Sequence, residues 1–191
     1  WEHNGSEHGH CQYNEVLHVP LIIKYSSKLP VKRIKSYVQL LDLFPTILSL
    51  SRQKNNFYLK GRNLILNVKT NSPSNEEIFF EGIGFGAEKK GVLKNGWKLI
   101  ENTGVKNENA LDLFDTLTKY IYPEHKKGFE LYNINQDFSE KHNLINEYPQ
   151  IAKRLKIYLQ LFKESPSYYT KRIRGDPKKK LDDLKSLGYI K

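Results

Sequence analysis

The sequence of 191 residues contains no methionine and only one cysteine. A lone thiol, Cys11, excludes a disulfide within the chain, so the fold must be held by its own core rather than by cross-links. Long hydrophobic runs are missing too. The longest apolar-rich stretch, Tyr37–Leu50, is broken by Gln39, Asp42, Pro45 and Thr46 and falls short of the roughly 18–20 residues a membrane span needs. The first residues carry neither the basic stretch nor the apolar core of a signal peptide, and with no initiator methionine Trp1 is not expected to be the natural start. Zinc-finger spacing and an aromatic-basic RNA-binding strand are both absent, so nucleic acid is not an expected partner.

Acids are scarce beside bases. Lys plus Arg number 31 against 21 Asp plus Glu, a net charge of +10. The excess gathers at Lys24–Lys35 (Lys24, Lys28, Lys32, Arg33, Lys35) and at Lys171–Lys180. Such clusters attract polyanions, although a lysine-rich solvated surface gives the same count. Aromatic residues make up 12% and hydrophobic residues 38%, which places the chain among folded globular proteins with a real core.

Several elements follow from periodicity. Val19–Lys24 is a continuous apolar run suited to a strand buried on both faces of a parallel sheet, with Pro20 confined to its first residues because it cannot donate to a ladder. Ile34–Leu50 repeats apolar residues at three- and four-residue steps, predicting a helix capped by Ser36 and kinked or broken at Pro45. Ser51–Asn75 is polar and reads as a loop. Glu77–Gly82 is strand-like. Gly91–Glu101 is the clearest hairpin, because Asn95-Gly96 is the favoured pair for a type I′ turn. An irregular insert with a short helix near Leu111–Leu117 follows, then a strand at Phe129–Asn135, an amphipathic helix at Pro149–Lys163 and a basic helical tail ending near Gly188. The order predicts the end of a parallel α/β domain over residues 1–75, a small α+β subdomain with an antiparallel sheet over 76–164, and a basic tail over 165–191.

Two chemical readings of short motifs are weak on their own residues. His3, His8, His10 and Cys11 are zinc-type donors, but their spacing fits no rigid element and no second cysteine completes a set. Gly82, Gly84 and Gly86 lack the third step and the helix start of a dinucleotide fingerprint and read as a turn.

Six segments taken in order say more. They are "EHGHCQYNEVLHVPLII", "YVQLLDLFPTILSL", "GRNL", "GVLKNGWKLIE", "FELYNINQDFSEKHNL" and "LDDLKSLGYIK". Together they resemble the C-terminal half of the sulfatase family, in the alkaline-phosphatase superfamily. The resemblance implies the end of an alkaline-phosphatase-like α/β domain followed by the small antiparallel subdomain and terminal helix. It implies metal-dependent hydrolysis of a sulfate ester in a longer parent, with a sulfated small molecule or glycan as substrate. The family's Asp-[His/Asn]-Gly metal triplet and its [Cys/Ser]-x-Pro-Ser-Arg nucleophile motif do not occur in this chain. Cys11, followed by Gln12-Tyr13-Asn14, is not that nucleophile. The divalent cation, calcium in this family, and the formylglycine are therefore expected upstream, no metal ligand is assigned here, and the chain alone is expected to be inactive.

The resemblance carries over a few site residues. Hydrolysis needs a nucleophile, charge stabilisation on the sulfate oxygens and an acid for the leaving group. His10 is the first candidate to contact sulfate or protonate the leaving group, and His8 is the second. His18, where many members carry Arg, and Lys24 are candidates on the substrate side, although a structural role suits His18 as well. Asp42 is expected to be a hydrogen-bond partner within its helix rather than a catalyst. A phosphoryl- or phosphonate-ester branch of the superfamily, or a catalytically silent polyanion-binding piece, are the alternatives. A secreted, periplasmic or lysosomal-type location is implied by the resemblance alone.

Overall fold

A computed structural model describes residues 3, 9–25, 29–53, 59, 61–70, 77–82, 87–106 and 127–164. The expected helix near Leu111–Leu117 and the basic tail lie outside these residues. By contact density the chain divides into two units, Trp1–Leu159 and Gln160–Lys191.

The first unit is built on an antiparallel meander, with β1 (Ile78–Glu81), β2 (Ala87–Lys94), β3 (Trp97–Lys106) and β4 (Gly128–Asn133) side by side in chain order. The β2–β3 hairpin turns where the sequence predicts. Asn95 has φ +51° and Gly96 φ +78°, the two positive angles that a type I′ turn demands. Lys94 therefore pairs with Trp97 and Val92 with Leu99, and Leu99 in turn faces Leu131. Side-chain alternation sends these three to one face. There they meet Ala152, Leu155 and Leu159 of the helix α4 (Pro149–Glu164). The opposite face carries Leu93, Ile100 and Tyr132, covered by Cys11 and Tyr13 from the N-terminal segment. Each face has its own apolar layer, and burying one such aliphatic side chain contributes about 1.5–3 kcal/mol.

Three expectations need correcting. Val19–Lys24 is irregular and its apolar side chains are exposed. A parallel strand needs ladder partners on its flanks, and the one sheet among the described residues is the antiparallel meander. The helix expected over Ile34–Leu50 starts late, as a 3-10 turn at Leu40–Asp42 leading into α2 (Leu43–Leu50). Its cap is Gln39 in a capping box with Asp42, not Ser36. That start puts Pro45 in the first turn, where a missing N–H costs nothing. Finally, the stretch read as loop contains α3 (Leu64–Thr70). Asn63 begins it, its Oδ1 accepting from the Ile65 N–H at 3.0 Å in the manner of an N-cap.

The motifs "LLDLFPT" and "GRNL" meet across this region. Asp42, 1% exposed, accepts from the Arg62 backbone N–H at 2.7 Å and from Arg62 Nη2 at 3.2 Å. Thr46 Oγ1 donates to the Asp42 carbonyl at 2.6 Å and accepts from the Leu64 N–H at 3.0 Å. Asp42 is thus a hydrogen-bond partner, as expected, but its carboxylate bonds Arg62 in another segment as well as the Gln39 N–H in its own turn, rather than staying within its helix. Gly61 lets the two segments touch: a Cβ there would sit 1.8 Å from the Leu41 carbonyl oxygen. Gly61→Ala is expected to cost about 1–3 kcal/mol, the range for forced overpacking, by pushing Arg62 off Asp42. A urea titration of the variant against the parent chain checks this, and an unchanged midpoint contradicts it.

Candidate functional site

The residues that the sequence marks for chemistry lie on the segment His10–Lys24, so the site is built from what holds that segment. Its anchor is the sheet face bearing Lys89, Lys98, Asn102 and Glu130, positions that alternation and register place together. Gln12, 2% exposed, crosses to the open end of the β1–β2 connection. Its Nε2 donates to the carbonyls of Lys89 at 2.9 Å and Gly82 at 3.2 Å. Lys89 returns the contact, with its Nζ donating to the His10 carbonyl at 2.9 Å. Burial pushes the Lys89 ammonium below its usual range, an effect partly offset by Cys11 and Glu130.

Tyr13 is the next anchor. Its hydroxyl donates to Glu130 Oε2 at 2.7 Å, the Tyr132 hydroxyl donates to the same oxygen at 2.9 Å, and Asn102 Nδ2 donates to Oε1 at 2.6 Å. Three donors converge on this one carboxylate. Burial first, and then the Glu130 charge, pushes both phenols above their usual range.

A buried ion pair completes the hold. Lys98 Nζ lies 2.7 Å from Glu140 Oε1, with side chains 2% and 0% exposed. The other Glu140 oxygen accepts from the Asn14 N–H, and Lys98 Nζ also donates to Asn14 Oδ1 at 3.2 Å. These contacts fix the N-terminus of α1 (Asn14–Leu17). Desolvation pushes the Glu140 carboxyl up and the Lys98 ammonium down, against their mutual attraction. Glu140 itself has φ +53°, a conformation that costs a non-glycine residue on the order of 1 kcal/mol or more. His3 closes the outer side. Its ring stacks on Tyr13 at 3.7 Å, with Nδ1 2.6 Å from Glu15 Oε1 and Nε2 3.1 Å from the Glu140 carbonyl.

The marked residues themselves are scattered through this frame. His10 is buried, 6% exposed, directly ahead of the Cys11–Tyr13 wedge. His18 is exposed and meets Phe138 edge to face at 5.2 Å. Lys24 is exposed in the irregular stretch. His8 lies outside the described residues, as do Lys28 and the glycines at 84 and 86. Cys11 is buried, and burial pushes its thiol up, the reverse of what a nucleophile needs. Among the described residues no three His, Cys, Asp or Glu side chains could hold a metal ion. These residues therefore do not by themselves fit the divalent cation the resemblance implies. No helix among them is long and apolar enough to cross a membrane.

Sequence reasoning missed the network around Glu130 and the Lys98–Glu140 pair. Lys98 stands in "GWKLI" and Glu140 in "FSEKHN", both already singled out, yet nothing in the chain says that they touch. What the arrangement does chemically is positional: it clamps the His10-bearing segment to a rigid sheet.

Of the comparisons with known proteins, the one with solved structures bears on the architecture. No family model matches the sequence, and no curated protein does. Among solved structures, the chain is similar to Ps i-CgsB, with 21% identity and a TM-score of 0.52 over 75% of this chain and 29% of that one. It is also similar to BT4656, solved in complex with its substrate D-glucosamine-2-N,6-O-disulfate (18% identity, TM-score 0.46, 69% of this chain and 24% of that one). A third is a chain described as a sulfatase from Bacteroides thetaiotaomicron (17% identity, TM-score 0.46, 72% of this chain and 27% of that one). The resemblance to the sulfatase family is borne out at the level of the fold: a mixed α/β chain with a four-stranded antiparallel sheet. Within that class, this chain spans less than a third of the solved chains it matches.

Proposed function

We propose that this chain is the C-terminal portion of a sulfatase-like hydrolase of the alkaline-phosphatase superfamily, whose whole protein cleaves a sulfate ester on a sulfated glycan or related small molecule. One observation carries the reading: sequence segments that resemble the family in order fall on a chain whose fold is similar to part of Ps i-CgsB. Within the quoted segments, "WKLI" and "FELYN" lie on adjacent strands, β3 and β4, and "NEVL" forms the helix α1 held against them.

The clamp supplies positioning. Gln12, Tyr13 and Asn14 are each tied to the sheet or the loop beyond it, and binding groups held within tight limits are worth several kcal/mol of a barrier. His10 is the residue proposed to contact sulfate or protonate the leaving alkoxide, with His8 behind it and His18 and Lys24 on the substrate side. A divalent cation would stabilise charge on the sulfate oxygens when bound; its ligands and the nucleophile are assigned to the rest of the protein.

Purified residues 1–191 are expected to hydrolyse an aryl sulfate no faster than buffer, because nucleophile and metal ligands are not among them. Turnover that scales with chain concentration through purification would sink this division of labour. Reading the source transcript ahead of Trp1 then separates the branches. Cys or Ser before x-Pro-Ser-Arg supports a sulfatase, and a threonine nucleophile supports phosphoryl transfer.

A further inference from the structure

We propose that Gln39 guards an outer edge of the sheet: its carboxamide fills the place of a neighbouring strand along β1 and keeps that edge from pairing with β1 of a second copy of the chain. The inference stands apart from the hydrolase reading, because every group in it lies on this chain.

The meander has two outer strands, β1 and β4. An outer strand presents backbone N–H and C=O groups that another chain can take up as a ladder. On β4 the cover comes from the chain just beyond it. The Leu131 N–H donates to Asn143 Oδ1 at 3.0 Å, and its carbonyl accepts from the Leu144 N–H at 2.8 Å. On β1 the cover comes from far away in sequence. Gln39 Oε1 accepts from the Phe79 N–H at 3.2 Å, and Gln39 Nε2 donates to the Glu77 carbonyl at 3.3 Å. These two groups lie two residues apart, the pair that one residue of a parallel neighbour would bond. A carboxamide suits the task because it carries acceptor and donor together, as a peptide group does.

The segment needs such cover. Ile78-Phe79-Phe80 joins high strand preference to an absence of charge, the composition of an association-prone stretch. Two carboxylates flank it, and like charges on facing edges repel a second copy. Glu77, however, is paired with Lys94, which leaves Glu81 at one end as the repelling charge.

The guard is firmly mounted. The Gln39 N–H donates to Asp42 Oδ2 at 3.0 Å, and the Gln39 carbonyl accepts from the Asp42 N–H at 2.9 Å. Asp42 is in turn held by Arg62. A side chain that springs from a fixed backbone gives up less freedom when it bonds. The buried Asp42–Arg62 contact therefore has a use beyond its own helix: it aims Gln39 at β1.

Hydrogen exchange and analytical ultracentrifugation on residues 1–191 test this. The variants are Gln39→Ala, Gln39→Met, which keeps the bulk of the side chain without its hydrogen bonds, and Gln39→Glu, which puts a charge in the same place. In dilute Gln39→Ala and Gln39→Met, the Phe79 amide is expected to exchange at least about tenfold faster than in the parent, while the Leu99 and Ile100 amides keep the parent's rates and report an intact sheet. As concentration rises, both variants are expected to dimerise several-fold more readily than the parent, with the Phe79 amide becoming protected again. Gln39→Glu is expected to stay monomeric, because a charge on an edge opposes pairing. An unchanged Phe79 rate, self-association equal to the parent's, dimers in which Phe79 stays unprotected, or equal dimerisation of Gln39→Glu and Gln39→Met would each overturn the proposal.

Discussion

Replacing Glu140 by alanine is expected to lower stability by about 3–5 kcal/mol, the cost of breaking a buried ion pair on one side. The Lys98 ammonium would be left 1% exposed with Asn14 Oδ1 and the face of the Phe80 ring as its remaining contacts, and the Asn14 N–H would lose its carboxylate. Both losses fall on the joint between the sheet and the segment that carries His10. Two companion variants separate the causes. Glu140→Gly still strands Lys98 but relaxes the φ of +53°, which is worth roughly 1 kcal/mol, so it should be damaged less than the alanine variant. Lys98→Met with Glu140→Gln leaves no buried charge and should recover much of the loss, since uncharged replacements of buried pairs are often tolerated. Chemical denaturation of the four proteins reads this directly. A Glu140→Ala midpoint equal to the parent's would show that the pair contributes nothing.

Glu130→Ala is the second large effect. It removes the common acceptor of Tyr13, Tyr132 and Asn102, all three of which are buried. Each buried donor deprived of its acceptor costs about 1–3 kcal/mol, so with three donors affected the alanine variant should lose at least as much as Glu140→Ala. Removing one donor is milder: Tyr132→Phe is expected to cost only about 0.5–1.5 kcal/mol, because Glu130 keeps Tyr13 and Asn102. Near-ultraviolet circular dichroism adds a second readout. Tyr13 and Tyr132 meet edge to face at 6.0 Å, and their signal should weaken in Glu130→Ala under conditions where the protein is still folded. If Tyr132→Phe proves as damaging as Glu130→Ala, the shared carboxylate is not what holds the network.

Much of the architecture was written in local patterns. The Asn95-Gly96 turn, the strands on either side of it and the helix Pro149–Glu164 depend on residues close in sequence, where turn chemistry and a helical repeat decide the outcome. Asp42 keeps one local contact of this kind, accepting from the Gln39 N–H three residues away at 3.0 Å, but its other partner, Arg62, is nonlocal. Where the expectation failed, a local signal met a nonlocal requirement. Ile34–Leu50 has helical spacing throughout, but the chain is helical only from Leu40, because Gln39 is used elsewhere: its carboxamide accepts from the Phe79 N–H and donates to the Glu77 carbonyl along β1. Asn63 is the reverse case: a cap signal inside "GRNL" set in a polar stretch whose composition reads as loop.

By itself, then, the sequence determined the hairpin, the antiparallel sheet, the terminal helix and the likeness to one family, since these follow from short-range periodicity and from motifs in a fixed order. It also marked His10, His18 and Lys24 by residue type. Only the tertiary structure decided that Tyr13 shares Glu130 with Tyr132, that Lys98 is neutralised by Glu140, and that Val19–Ile23 faces water. Those outcomes depend on which faces come together in space, and neither residue type nor spacing along the chain encodes a partner that lies far away in sequence.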